Sequence, residues 1–181
     1  MNKIFLTAGH HLKDSGAVGN GYKENQLNIE LRDLIAKRIL DLDSKQVVWL
    51  DYDKDTLSQV INKISEVATS KDIWLELHFD SSINPKASGC TALIAENARE
   101  ASKSLGQQIV DVGSTILEIP NRGVRSEKQS ARGRLAMLHT KATSVLYEVG
   151  FISNPTDMIN HHDWKHWFSE EVARILLKAI K

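Results

Sequence analysis

Three titratable side chains stand directly after short apolar runs of the sequence: His10, His78 and Glu148. Imidazole and carboxylate groups are ligands that Zn²⁺ accepts, and catalytic zinc sites use three protein ligands and a water. Glu148 lies within an apolar segment, where burial disfavours a charged carboxylate unless a cation, a metal or a raised pKa compensates. These residue types therefore indicate a metal site. The apolar runs that precede them are residues 4–9, 73–77 and 145–147.

Glu24 is the third candidate ligand, at the end of a glycine-containing loop and in the first turn of a predicted helix. It lies 14 residues after His10 and 54 before His78, and this spacing matches no local motif. Taken singly, each residue has a simpler explanation: a hydrogen-bonded core histidine, a carboxylate at a helix N-terminus, or an ion pair between Glu148 and an arginine. Their joint placement favours the metal site. The arginines available for such a pair are Arg122, Arg125, Arg132 and Arg134.

Short apolar runs alternate with helical stretches along the chain. This alternation predicts βαβ units and an α/β fold, with a mainly parallel sheet and helices on both faces. Ligands of such sheets bind outside the carboxyl ends of the strands, so the residues that follow the runs are expected to converge. Buried strands are predicted at residues 4–6, 47–50, 73–77, 90–94, 135–138 and 145–147. Helices are predicted around residues 24–40, 60–67, 105–112 and 172–179, and long loops at residues 9–23, 79–88 and 120–133.

The composition excludes several classes of protein. With 181 residues we expect a single domain, residues 1–181, and the formal net charge of zero argues against a nucleic-acid partner. The single cysteine cannot form an intramolecular disulfide. No apolar stretch has the length of a signal peptide or a membrane span. We therefore expect a chain made in the cytoplasm without a signal peptide and not inserted in a membrane.

Four ordered motifs resemble the zinc-dependent N-acetylmuramoyl-L-alanine amidases of the type-3 class. The first begins as TAGHH at residues 7–11 and continues as DSGAVGNGYKE at residues 14–24. The others are LELHFDS at residues 75–81, NRGVR at 121–125 and VLYEVGFISNP at 145–155. The resemblance implies zinc held by His10, Glu24 and His78, with Glu148 as the catalytic carboxylate. It also implies a twisted, largely parallel six-stranded sheet.

The substrate implied by the resemblance is bacterial peptidoglycan. The bond cut would be the amide between the lactyl group of N-acetylmuramic acid and the L-alanine of the stem peptide. Other residues depart from the family pattern or have several possible roles. Glu76 stands where the family often has Ser, and it either orients a ligand or forms a buried ion pair. The alternatives for His139 are contact with substrate, stabilisation of an oxyanion, support of a neighbouring group, or a place at the surface. Arg122 is a further candidate for contacting substrate or supporting the site.

Two other functions fit the residues: a zinc peptidase acting on another amide, and a non-catalytic wall-binding module. Loss of a ligand or of Glu148 would indicate the module, and all four residues are present. The zero net charge also implies that the chain does not rely on strong net attraction to the anionic wall. We expect a monomer that acts at the cell wall, either as a phage lysin released by a holin or as a fragment of a secreted enzyme.

Overall fold

Eight strands and four α-helices make up the computed structural model, which describes residues 1–181. In chain order the strands are β1 (Lys3–Ala8), β2 (Val18–Gly19), β3 (Tyr22–Lys23), β4 (Val47–Leu50), β5 (Ile73–Asp80), β6 (Cys90–Ile94), β7 (Asn121–Ser126) and β8 (Thr143–Phe151). The helices are α1 (Glu24–Leu42), α2 (Leu57–Val67), α3 (Glu100–Ile116) and α4 (Pro155–Ala179). No helix combines the length and the apolar character that crossing a membrane requires.

The main sheet has six strands in the order β4-β1-β5-β8-β6-β7, and β2 pairs with β3 in a separate hairpin. Strands β4, β1, β5 and β8 are parallel to one another. Strand β6 runs antiparallel to β8, and β7 runs parallel to β6. These observations confirm the predicted α/β fold with a mainly parallel six-stranded sheet.

Helices cover both faces of the sheet, but unequally. The larger apolar core lies between the sheet and α1, α3 and α4. A smaller core on the opposite face joins the sheet to α2 and to a short 3-10 helix, Ala136–His139. This second face is only partly covered, so its remaining part is open for a site.

The alternation of side chains along β5 explains why polar groups gather on the second face. Successive residues of a strand point to opposite faces. Leu75 and Leu77 belong to the larger core, whereas Trp74 packs in the smaller one. Glu76 and His78 continue the face of Trp74 toward the carboxyl end of the strand. The uncovered part of this face therefore begins at Glu76, where the side chains of β5 become polar.

Two predicted elements differ from the structure. The prediction of a strand at residues 135–138 is wrong, because this run ends in the 3-10 helix whose Met137 and Leu138 pack in the smaller core. The sixth strand is β7, which lies within the predicted loop 120–133. It is an edge strand paired only with β6, and half-buried polar residues dominate it, so it lacks the apolar pattern of a buried strand.

Candidate metal centre and cleft

The donor atoms of His10, Glu24 and His78 meet beyond the carboxyl end of β1. Glu24 Oε2 lies 3.2 Å from His10 Nε2, and Glu24 Oε1 lies 2.8 Å from His78 Nδ1. One donor atom from each residue lies within 4.8 Å of the other two. Neighbouring ligands of a tetrahedral zinc ion, with bonds of about 2.0–2.2 Å, are about 3.3–3.6 Å apart. The three donors are of types that zinc accepts, and they lie close enough together to share one ion.

Each donor is positioned by a different element. His10 follows β1 with a left-handed backbone (φ 69°), an unusual conformation for a residue that is not glycine. Glu24 is the first residue of α1, and His78 lies within β5 rather than after it. Asn28 of α1 donates a hydrogen bond of 2.9 Å from Nδ2 to the carbonyl oxygen of Gly9, which ties this helix to the turn that carries His10.

Both histidines have a carboxylate behind the ring nitrogen that faces away from Glu24. His10 Nδ1 lies 2.8 Å from Asp14 Oδ2, and His78 Nε2 lies 3.4 Å from Glu76 Oε1. Such partners fix the ring orientation and raise the basicity of a metal-binding imidazole. Glu24 is held by backbone groups, because the N–H of Ala17 donates to Oε2 (2.8 Å) and the N–H of Phe79 donates to Oε1 (3.1 Å).

Two glycines allow the donors to come this close. A Cβ atom at Gly9 would overlap the ring of His78. A Cβ atom at Gly16, whose φ is +62°, would lie 2.5 Å from Glu24 Oε2 and 2.6 Å from His10 Cδ2. The glycines of the first motif therefore provide both backbone freedom and space beside His10, Glu24 and His78, which together form the donor set.

The donor set favours positive charge. Burial raises the pKa of Glu24, but hydrogen bonds with His10 and His78 outweigh burial and hold that pKa well below its usual range. Burial lowers the pKa of His78, but hydrogen bonds with Glu24 and Glu76 overcome this effect and raise the pKa to about 10. The hydrogen bond with Glu24 likewise raises the pKa of His10. A bound divalent cation would supply the same charge while the histidines become neutral ligands.

Glu148 lies directly opposite His78 in the register of β5 and β8. The residue is partly exposed to the cleft, but its Oε2 atom is buried and has no hydrogen-bond partner. Burial raises the pKa of Glu148 to about 8; the charge of His78 opposes this rise, and the charge of Asp80 adds to it. A carboxyl group with a pKa near neutrality is suited to accepting and returning a proton.

A cleft of about 870 Å³ contains the donor set and Glu148. Its size falls within the usual range of small-molecule sites. Glu76 and Arg122, both named from the sequence, also line this cleft. Glu76 is buried and accepts a hydrogen bond of 2.9 Å from Thr7 Oγ1, while its other oxygen faces His78. The charged partner nearest to Glu76 is thus a histidine of the donor set.

The structure places His139 away from this cleft. Its Nε2 lies 2.8 Å and 3.0 Å from the two carboxylate oxygens of Glu127, beside a separate small cavity. Glu127 also accepts a hydrogen bond from the backbone N–H of Leu135, so His139 and Glu127 together hold the segment that leads into the 3-10 helix.

The sequence predicts no role for Asp14, and for Arg125 and Arg132 it predicts only a possible ion pair with Glu148. Neither arginine forms that pair, since the buried Oε2 of Glu148 has no partner. Asp14 supports His10 from the next turn of the loop, and Arg125 and Arg132 line the cleft beyond Glu148. Only Asp14 has a local signal, its position four residues after a candidate ligand. The position of Arg125 depends on β7, which has no apolar pattern, and Arg132 lies in the segment that follows this strand.

The profile of one protein family, described as N-acetylmuramoyl-L-alanine amidase, matches residues 4–180. The chain belongs to this amidase family. The match covers the whole fold, from β1 to the end of α4, and includes the donor set and Glu148. The resemblance stated from the four motifs is thereby confirmed.

Individual amidase relatives agree with this membership. N-acetylmuramoyl-L-alanine amidase LytC of Bacillus subtilis is 29% identical over 159 residues, which are 85% of this chain and 30% of LytC. The endolysin of Bacillus phage SPP1 is 28% identical over 153 residues, which are 83% of this chain and 55% of the endolysin. The chain thus spans about a third to a half of these two relatives.

Solved amidase structures share the fold. The catalytic domain of CwlV, an amidase from Bacillus (Paenibacillus) polymyxa var. colistinus, superposes with a TM-score of 0.78 at 25% identity, covering 99% of this chain and 96% of that one. The amidase AmiC2 of Nostoc punctiforme superposes with a TM-score of 0.80 at 22% identity, covering 98% and 96%.

Proposed function

We propose that this chain is a zinc-dependent amidase of bacterial peptidoglycan. It would cut the amide between the lactyl group of N-acetylmuramic acid and the L-alanine of the stem peptide. One observation carries the proposal: in a chain of the amidase family, two histidines and a carboxylate meet beside Glu148, whose buried Oε2 has no partner. His10, Glu24 and His78 would hold the metal.

The chain's own residues provide proton transfer and positioning. Zinc bound by His10, Glu24 and His78 would polarise the scissile carbonyl and activate the attacking water. Glu148 accepts a proton from that water where its carboxyl group is exposed to the cleft, and passes it to the departing amine of L-alanine. Its raised pKa suits both steps, since a group with a pKa near 7 accepts and returns a proton with similar ease.

Two carboxylates outside the donor set would hold the ligands in place. Asp14 fixes the ring of His10, and Glu76, itself anchored by Thr7, lies behind His78. We include in the proposal that residues 1–181 act as one catalytic domain and as a monomer at the bacterial cell wall. The names of the relatives, which include a phage endolysin and a cell-wall amidase, support this setting.

Digestion of purified peptidoglycan, followed by identification of the new chain ends, tests the proposal. An amidase exposes the amine of L-alanine and leaves the sugar strands intact. Amines released from any other residue would indicate a zinc peptidase instead. Binding to the sacculi without any new ends would indicate a non-catalytic module. Either of these two results would overturn the proposal.

A further inference from the structure

Three arginines line the cleft and form no salt bridge: Arg122, Arg125 and Arg132. The arginine salt bridges of the structure all lie elsewhere on the chain. Arginine is the side chain best suited to bind a carboxylate through two parallel hydrogen bonds. Three arginines without salt bridges around one concave surface therefore require an explanation.

The side chain of Arg122 is held by its own contacts, and the backbone of Arg122 supports Arg125. The guanidinium of Arg122 stacks over the ring of Phe151, 4.9 Å from its centroid, and Nη1 donates to the carbonyl oxygen of Ser88 (3.2 Å). Its Nε is buried and has no partner. Arg125 Nε donates to the carbonyl oxygen of Arg122 (3.2 Å), which leaves both terminal nitrogens of Arg125 free. Arg132 makes no hydrogen bond within the chain and is exposed at the cleft.

Sheet register places Arg125 on the same face as Glu148. Glu148 of β8 pairs with Thr91 of β6, and Leu93, two residues on, pairs with Arg125 of β7. Residues two apart on a strand share a face, so Arg125 and Glu148 do as well. Strands β8 and β7 are two strand spacings apart, about 10 Å. Burial raises the pKa of Glu148, and the charge of Arg132 opposes that rise, which brings Arg132 near the same group.

The opposite wall of the cleft carries acidic groups. Asp14, Asp51 and Asp55 line it, and the last two are paired with Arg32 and Lys63 outside the cleft. Asp80 also lines the cleft; burial raises its pKa, and the charges of Arg122 and Arg125 lower it. Even with this carboxylate nearby, the cleft arginines that form no salt bridge lie on the β7 side. A substrate with an anionic arm would be bound with that arm toward β7 and away from the acidic wall.

We propose that Arg125 and Arg132, supported by Arg122, form a subsite for a free carboxylate of the stem peptide on the residue that follows L-alanine. This inference rests on the proposed amidase function and adds the orientation of the bound substrate. The peptide extends toward β7, and the sugar extends toward the side of the cleft that carries Asp14, Asp51 and Asp55. An extended chain advances about 3.5 Å per residue, so a carboxylate on the next residue lies within reach of long arginine side chains on β7.

The test uses two N-acetylmuramoyl tripeptides that differ in one group. Their second residue is joined to the third through its side-chain carboxyl group, so its α-carboxyl group is either a free carboxylate or the corresponding carboxamide. We expect kcat/KM of the wild-type protein to favour the carboxylate substrate by about 10- to 100-fold, mainly through KM, because charge-assisted hydrogen bonds are lost with the carboxamide. Arg125→Gln and Arg132→Gln should each bring this ratio toward one.

Arg134→Gln is the matched control, because Arg134 lines the separate cavity near His139 and should leave the ratio unchanged. Each ratio is measured on one preparation, so a variant that folds poorly lowers both values equally. Equal kcat/KM values for the two substrates in the wild type, or an unchanged ratio in both cleft variants, would overturn the subsite while leaving the amidase function intact. Failure of the wild type to cleave either substrate would overturn both proposals.

Discussion

Glu76 and Glu148 are carboxylates on one face of the sheet, and their partners assign them different tasks. Glu76 is buried, accepts a hydrogen bond of 2.9 Å from Thr7 Oγ1 and lies 3.4 Å from His78 Nε2. Glu148 has a buried oxygen that meets no donor. The first carboxylate is therefore already occupied in holding a donor, and the second is free to take a proton.

Replacement of Glu148 by Gln should lower kcat by about 10²- to 10⁴-fold, because the amide cannot accept the proton of the attacking water. Zinc content, measured by atomic absorption, should stay the same, since Glu148 is not among the three donors. Glu96→Gln, at an exposed site outside the cleft, is the control and should retain full turnover. Retained turnover in Glu148→Gln would show that another group carries the proton.

Replacement of Glu76 by Gln should weaken zinc binding by about 10-fold or more, because His78 loses the carboxylate behind its Nε2. Competition with a chromophoric chelator measures the zinc Kd directly, without reference to turnover. An unchanged Kd would mean that Glu76 is a structural partner of Thr7 only.

The four residues of the proposed zinc and proton-transfer site were recognisable from the sequence because each follows an apolar run or opens a helix. His10, His78 and Glu148 stand after apolar runs, and Glu24 opens a helix. Asp14 and the cleft arginines could not be assigned in this way. Their positions depend on how a loop and an edge strand fold, and no periodic pattern records that.

At the scale of elements, the segment between β1 and α1 brings His10 and Glu24 together. Backbone hydrogen bonds close it, from the N–H of Glu24 to the carbonyl oxygen of Ala17 (2.9 Å) and from the N–H of Asp14 to that of His11 (2.8 Å). The site therefore depends on the shape of this segment as well as on the donors themselves.

Replacement of Gly16 by Ala should disturb the donor set, because the new Cβ would lie 2.5 Å from Glu24 Oε2. We expect a zinc Kd raised by about 10-fold or more, together with a loss of about 1–2 kcal/mol in the free energy of unfolding from the left-handed backbone. Gly21→Ala is the matched control. Its φ of +82° brings a similar backbone cost, but nothing lies within 4 Å of the new Cβ.

Equal zinc Kd values for the two variants would contradict the proposed zinc site, because of the two new Cβ atoms only the one at residue 16 would meet Glu24 and His10. Isothermal titration of zinc into each purified variant gives both values, and chemical denaturation gives the unfolding free energies.

Apolar patterning predicted the buried elements well and the partly exposed ones poorly. Strands β1, β4, β5, β6 and β8 coincide with predicted apolar runs. Residues 135–138 have the same apolar character but lack β-branched side chains, and they fold as a turn whose Met137 fills the smaller core. Strand β7 is held by backbone pairing with β6, which sequence periodicity does not report.

At the scale of the whole molecule, the unequal covering of the sheet creates the site. Three helices bury one face, while α2 and a 3-10 helix bury part of the other. The strand order could not be deduced from the sequence, because the antiparallel arrangement of β6 and β8 depends on connections rather than on side-chain pattern. That arrangement brings the start of β7 to the same edge as Glu148.

The larger core contains a histidine whose titration should affect global stability. His161 is 3% exposed, packs edge-on against Phe79 with ring centroids 5.0 Å apart, and neither ring nitrogen has a partner. Burial lowers the pKa of His161 to about 3, and the charges of Lys165 and His162 add to this effect. The unfolded chain, with an ordinary pKa of about 6.5, therefore binds more protons than the folded protein between about pH 6.5 and pH 3.

The free energy of unfolding should consequently fall as the pH falls below about 6.5, and His161 contributes up to about 1.4 kcal/mol per pH unit. His161→Leu should flatten this dependence by that amount, as measured by urea denaturation at several pH values. His166→Gln, at an exposed position on the same helix, serves as control and should keep the wild-type slope. A slope in His161→Leu equal to that of the wild type would contradict the prediction.

The central claim is that zinc at His10, Glu24 and His78 enables Glu148 to drive amide hydrolysis. The most direct test strips the protein with a chelator, titrates zinc back, and follows release of the L-alanine amine from purified peptidoglycan. The rate should be negligible without metal and rise in proportion to bound zinc up to about one ion per chain. Full release of the amine by the stripped protein, or zinc binding that restores none, would contradict the account.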